Sequence, residues 1–281
     1  MRAFKVLAIG VGLLGLGLAA AVAVGSIRTE RDIAAFQDQV SAIALERHAR
    51  QVDPAALATL PVPVQRYVAF TFPDGLSSAR VVRVATEGQF RRPQTEGFSF
   101  TTSEQVIALT EPALMFSATT PIIPGIWARA YDFFADGEME MKAKILSLMT
   151  VVDEAETPEL NRISLRRWLL ESALYPHALL PGGPVRWEAI DDTSARAVVE
   201  ADGLSASMVA HFDGSGRMTH MMAEEDGDLA TPYHGSGEHV LRSDYRDVGG
   251  VMIPHAFVIS RASQGEIYPF FDAVLTDISF E

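Results

Sequence analysis

No side chain between Val6 and Ile27 carries a charge, and Arg28, Glu30, Arg31 and Asp32 then close the run. About 20 consecutive apolar residues span the hydrocarbon core of a bilayer. Residues 1–28 are therefore predicted to be a membrane anchor or signal segment, with residues 6–27 in the membrane. Basic Arg2 and Lys5 stand before the run and mixed charges after it, which predicts a cytoplasmic N-terminus with the remainder outside. Next, Ile33, Phe36, Val40 and Ile43 recur at spacings of three and four, a helical stripe within residues 30–50. Asp53-Pro54 reads as an N-cap followed by a first-turn proline, and Pro61, Pro63 and Pro73 punctuate a short helix from Val64 to Phe70. Residues 29–76 are expected to form a helical stalk that docks on the main domain.

From about Ala79 the period changes to two. In Glu138-Met139-Glu140-Met141-Lys142-Ala143-Lys144-Ile145 every second side chain is apolar and every other one charged, as in an antiparallel strand with one wet face. Phe98 and Phe100 alternate with Ser99 and Thr101. Trp127, Arg129, Tyr131 and Phe133 share one face of a segment, and Leu204, Ala206, Met208, Ala210 and Phe212 share another. Tyr268, Phe270, Val274, Ile278 and Phe280 do so near the end. Asp136-Gly137, Asp202-Gly203 and Asp213-Gly214 fall between such runs and supply the positive φ of tight hairpins. One helix interrupts the strands over residues 157–175. Thr157-Pro158 opens it, Leu165, Trp168, Leu169 and Ser172 form its inner stripe, and Pro176 ends it. Residues 77–281 are thus expected to be α+β: a mostly antiparallel β-sheet, half-barrel or sandwich, with one covering helix.

The membrane segment also contains Gly10-Val11-Gly12-Leu13-Leu14-Gly15 after a strand-like Lys5–Ile9, with Glu30 about 20 residues on, the outline of a dinucleotide fingerprint. A crossover helix needs a solvated face. Leu16 to Val24 offers no polar side chain, and no second parallel strand leads to the acid, so the membrane reading stands. Ala21-Val22-Ala23 has the form of a signal-peptidase site, but the apolar segment exceeds a usual signal core. A retained anchor is expected.

The chain has 281 residues, 48% hydrophobic and 21% charged, with a formal net charge of −13. An acidic surface repels phosphate backbones, so no nucleic-acid partner is expected. With no cysteine, thiolate chemistry and disulfides are excluded. No metalloprotease, P-loop, nucleophile-elbow or kinase motif is present. Asp213-Gly214-Ser215-Gly216 reads as a turn. His234-Gly235-Ser236-Gly237-Glu238-His239 offers two imidazoles and a carboxylate, though at no familiar zinc spacing; neither a metal nor a cofactor is assigned. His211, His220 and His255 fall in strands, and His177 follows the helix-ending proline. Arg167 and Glu171, four apart on the helix, read either as a surface ion pair or as a polar cluster facing a cavity under the helix. Met139, Met141, Met208, Met218, Met221 and Met222 suit either core filling or a surface for varied apolar ligands.

Leu60-Pro61-Val62-Pro63-Val64-Gln65-Arg66-Tyr67 resembles the opening of a bacterial family of unknown function whose members carry an N-terminal membrane segment. Leu165 to Glu171, Pro176, Ala178 to Pro181, Val185, Trp187, Pro232, Tyr245 and Ile253-Pro254 extend the resemblance over residues 60–281, with Pro232-Tyr233 where the family has Pro-Trp. No activity follows from it. The second half is also similar to lipoprotein-localisation carriers, which implies a curved half-barrel with an apolar concave side closed by helices. The expectation is a single-pass protein of the bacterial inner membrane, its main domain extracytoplasmic, holding a lipid, acyl chain or lipoprotein segment. The ligand-binding candidates are Trp127, Tyr131, Met139, Met141, Trp168, Glu171, Met208, Phe212 and Phe270. No catalytic residue is assigned. A hydrolase using Glu171 or the His234/His239 loop, and a scaffold for another envelope protein, are the competing functions.

Overall fold

A computed structural model of the chain describes residues 2–46, 52–92, 95–227, 229 and 237–281 (side chains of 2–9 and 11 excepted). Helix α1 (Arg2–Glu46) is followed by α2 (Pro54–Leu57) and α3 (Val62–Thr71). Six strands come next: β1 (Val81–Phe90), β2 (Ser99–Ala108), β3 (Ala113–Ile123), β4 (Ile126–Ala135), β5 (Glu138–Ile145) and β6 (Met149–Ala155). Helix α4 (Pro158–Glu171) runs on into two 3-10 turns, Ser172–Leu174 and Pro176–Leu179. Seven strands complete the chain: β7 (Val185–Ala189), β8 (Ser194–Ala201), β9 (Leu204–Phe212), β10 (Met218–Met222), β11 (His239–Val248), β12 (Val251–Ser263) and β13 (Glu266–Phe280).

The thirteen strands among the described residues form one sheet in the order β6-β5-β4-β3-β2-β1-β13-β12-β11-β10-β9-β8-β7. Every pairing is antiparallel. The expected α+β class is observed, as one curved sheet rather than a sandwich. Two-residue turns at Asp136-Gly137 and Asp202-Gly203 take positive φ at both positions, as the hairpin geometry demands. Asp213-Gly214 differs from expectation. There the positive φ falls on Gly216, and the Asp213 carboxylate accepts from the backbone N–H of Ser215 and Arg217, which makes a longer side-chain-capped turn.

The chain leaves one sheet edge at β6 and re-enters at the other, β7, by way of α4. That connection puts α4 on the concave side, in contact with β4 and β5 at one end of the sheet and β8 and β9 at the other. Thr157 caps it, accepting from the Leu160 N–H, with Pro158 in the first turn. Its residues from Ile163 to Glu171 are all buried, so the expected single inner stripe is a helix enclosed on every side. Trp168 is fully buried, donating from Nε1 to the Ala108 carbonyl at 3.0 Å and packing on Tyr175. The curl of the sheet brings the β4–β5 turn onto the β8–β9 turn: a Cβ added to Gly137 would lie 2.6 Å from the Cβ of Asp202.

The N-terminal helices take opposite faces. Ile33, Phe36, Val40, Ile43 and Ala44 of α1 pack on the convex face of β1–β4 against Val81, Val106, Met115 and Phe133, with Phe36 stacked on Phe133 at 4.2 Å. On the concave side α3 places Val64, Tyr67 and Val68 in the main core. Gln65 ties the entry to α3 together by donating to the Leu60 carbonyl at 2.7 Å. The part of α1 before Arg28 meets little of the domain: Leu13, Leu14, Leu16 and Leu18 are 57–76% exposed. By length and composition α1 is able to cross a membrane.

Candidate functional site

Between α4 and the concave face of β1–β5 and β11–β13 lies a hollow. Its free volume is about 70 Å³, and about 710 Å³ when the space out to its opening is counted. Phe90, Phe116, Met141, Phe257, Phe270 and Phe271 supply its apolar wall. The room comes from small side chains at Ala118, Thr120 and Ala130.

Four charged side chains stand in the wall: Asp132, Arg167, Glu171 and Arg242. Arg167 bonds Asp132 through Nη1 and donates from Nε to Glu171 Oε1 at 2.9 Å, and all three side chains are 3% exposed. Its guanidinium also stacks over Phe116, 4.5 Å from the ring centre. The Arg167–Glu171 pair is therefore the cavity-facing cluster and not a surface pair. Burial pushes the Asp132 carboxyl up to about 6, although Arg167 opposes the shift. Arg242 on β11 donates from Nη2 to the Leu170 carbonyl at 3.0 Å and lies over Phe257. Its Nε and Nη1 have no hydrogen-bond partner among the described residues, nor do Asp132 Oδ1 and Glu171 Oε2. Burial lowers the pKa of Arg242. Buried polar atoms are normally satisfied, so this group of donors and acceptors is matched to water or to the polar part of a bound molecule.

Of the residues singled out in the sequence, Tyr131, Met141, Glu171 and Phe270 border the hollow. Tyr131 does so from a strand whose ring points the other way, onto Phe36 of α1, with its hydroxyl bonded to Glu140. Trp127 is outside the hollow, in a convex-side depression beside Ser26 and Glu30. Met139, Trp168, Met208 and Phe212 are buried in the main core, away from the hollow. Phe116, Phe257, Phe271, Asp132 and Arg242 were not singled out. For Asp132 the signal in the sequence is parity: it shares with Ala128 and Ala130 the face opposite the Trp127–Tyr131–Phe133 one.

His234 lies outside the described residues. The acid of that segment, Glu238, is buried and salt-bridged to Arg166 at 2.6 Å and to Arg261 at 2.9 Å, so together these ions tie α4 to the β11–β12 side. Among the described residues no group of three or more His, Asp or Glu could hold a metal ion. His211 and His220 stack across β9 and β10 at 4.2 Å. His177 packs between Phe72 and Phe280, its Nε2 2.9 Å from Ser77 Oγ.

A single antiparallel sheet curled around one helix, with an apolar hollow kept beside a buried ion cluster, defines an open β half-barrel plugged by a helix. The chain belongs to the family described as "Family of unknown function (DUF6920)", which it matches over residues 58–280. A comparison with curated proteins finds no match. Among solved structures, the chain is similar to a domain from Vibrio parahaemolyticus provisionally described as an outer membrane lipoprotein-sorting protein, with 8% identity, TM-score 0.42, and 80% of this chain and 93% of that one covered. It is also similar to a LolA superfamily protein from Nitrosomonas europaea, with 10% identity, TM-score 0.38 and coverage of 78% and 92%. A DUF1329 family protein from Desulfovibrio piger gives 8% identity, TM-score 0.41 and coverage of 79% and 93%. These likenesses are too loose to carry a function across.

Proposed function

We propose that this is a membrane-anchored extracytoplasmic protein that holds an acyl chain of a lipid or lipoprotein in the hollow beside α4. The observation that carries the reading is an aromatic and Met-lined space ending on buried donors and acceptors that the protein itself leaves unused. Apolar pockets with a few convergent polar groups are the usual form of small-molecule sites. An amphiphile fits both parts: the chain lies against Phe116, Met141, Phe257 and Phe271, and its polar end accepts from Arg242 Nε and Nη1 or donates to Asp132 and Glu171. A free volume of about 70 Å³ is less than the ~150 Å³ that admits benzene. Loading therefore widens the hollow. α1 supplies the anchor through its exposed apolar half.

The test uses the full chain in lipid nanodiscs with a photoactivatable fatty acid, and maps the adducts by mass spectrometry. Adducts are expected on peptides carrying Phe116, Met141 or Phe271. Met141→Glu should abolish them and Arg242→Met should weaken them, with the circular dichroism spectrum unchanged. Met208 is no use as a probe, because it is a fully buried core residue whose replacement by Glu would unfold the domain. Adducts confined to residues 6–27, or adducts indifferent to both substitutions, would leave the hollow as ordinary packing and the scaffold role as the better account.

A further inference from the structure

Exposed large apolar side chains crown two adjacent hairpins. Ile122 and Ile123 at the β3–β4 turn are 52% and 57% exposed, and Leu148 and Met149 at the β5–β6 turn are 43% and 57% exposed. β4 pairs with both β3 and β5, which sets the two turns side by side at one end of the sheet. Scattered exposed apolar residues are ordinary. Turn tips, however, are normally polar, and here one tip reads Pro121-Ile122-Ile123-Pro124-Gly125-Ile126.

Helix α1 fixes what lies beyond that end. Near the β2–β3 turn, Thr110 Oγ1 donates to the Ala44 carbonyl. Further along, Glu30 pairs with Arg129 at 2.8 Å and Thr29 meets Lys144 at 3.3 Å. At the β5–β6 turn, a Cβ on Gly25 would stand 2.7 Å from the Ser147 carbonyl and 2.9 Å from Leu148 Cδ2. Between Ala44 and Gly25 the helix climbs roughly 29 Å, comparable to the roughly 36 Å length of an 11-residue strand such as β3. It leaves the sheet inside its own uncharged run, since Gly25 precedes the first charge, Arg28. The β5–β6 turn thus abuts the helix at the point where it would enter the bilayer, and the β3–β4 turn projects beside it.

We infer that the β3–β4 and β5–β6 turns are seated in the outer leaflet of the bilayer that α1 crosses. The lining of the hollow reaches this same end of the sheet, where Phe90 closes β1 and Thr120 lies just before Ile123. An acyl chain can then pass from leaflet to hollow without crossing water. The inference rests on α1 as the anchor and does not need the hollow to hold lipid.

The native chain has no cysteine, so single nitroxide labels can be placed freely. Ile123→Cys and Leu148→Cys test the turns. Leu16→Cys reports on the anchor, and Glu138→Cys, exposed at the opposite end of the sheet, reports on water. In the full chain reconstituted into phosphatidylcholine–phosphatidylglycerol vesicles, labels at 123 and 148 should resemble the one at 16, with oxygen accessibility raised severalfold over that to a water-soluble nickel chelate. The label at 138 should show the reverse. If 16 is in lipid while 123 and 148 behave like 138, the inference is overturned and the anchor stands. If 16 is itself open to the chelate, the anchor reading has failed and the inference with it.

Discussion

Arg167 is the residue whose loss the structure predicts most sharply. Its guanidinium bonds both Asp132 and Glu171, and all three side chains are 3% exposed. Arg167→Met keeps most of the volume and removes the only cation bonded to either acid among the described residues. At an effective dielectric near 20, each contact at about 4 Å is worth about 4 kcal/mol, and recovered desolvation of the arginine offsets part of the sum. Breaking a buried pair from one side costs about 3–5 kcal/mol, and that range is expected at pH 8. The effect must depend on pH in one direction. Burial has already raised the folded-state pKa of Asp132 to about 6 from 3.8. A raised carboxyl pKa contributes stability that is complete below the unfolded value and lost as pH rises through the folded one. Without Arg167, which opposes the shift, the pKa climbs further and the loss between pH 5 and pH 8 deepens. The deficit should therefore shrink at pH 5 by about 1.4 kcal/mol or more, one unit's worth. Urea unfolding of the full chain in micelles, followed by tryptophan fluorescence, measures both numbers. Arg83→Met serves as the control: its pair with Glu281 is 42% and 52% exposed, and such surface pairs contribute about 0–1 kcal/mol. A deficit below about 1 kcal/mol at pH 8, or one of equal size at both pH values, would refute the buried cluster.

Trp168→Ala should cost about 3–5 kcal/mol, and Trp168→Phe should cost clearly less while still losing the bond to the Ala108 carbonyl; a melting temperature within a degree or two of wild type for the alanine variant would place α4 outside the core. Burial holds His177 down at about 4, below its ordinary 6.5, so its contribution is present above pH 6.5 and lost as pH falls toward 4. His177→Gln should flatten that acid slope by about 1–3 kcal/mol, read from denaturant titrations at pH 7 and pH 4.5; an unchanged slope would show that His177 takes up its proton freely in the folded state.

Local pattern alone was enough for several of the elements. The alternation in Glu138–Ile145, the Asp-Gly turns at 136–137 and 202–203, and the Thr157-Pro158 helix start all appear where the sequence puts them, because each depends on a few neighbouring residues. Within the uncharged run, Leu13, Leu14, Leu16, Leu18, Val24 and Ile27 of α1 are likewise exposed. Which face of a strand meets which partner is a different kind of fact. Trp127 and Tyr131 are expected from the sequence to face a ligand, since an apolar face normally points to the only cover available. Here α1 covers the convex face and takes Tyr131 and Phe133, so the hollow falls on the other face, where Ala130 leaves room and Asp132 meets Arg167. Alternation is ambiguous wherever a sheet is buried on both sides. The Arg167–Glu171 spacing permitted a surface pair or a buried cluster, and the i,i+4 geometry is the same in both. Only the passage of α4 from one sheet edge to the other, through the inside of the curl, put that pair out of water and beside Asp132 and Arg242, residues 35 or more positions away in the chain.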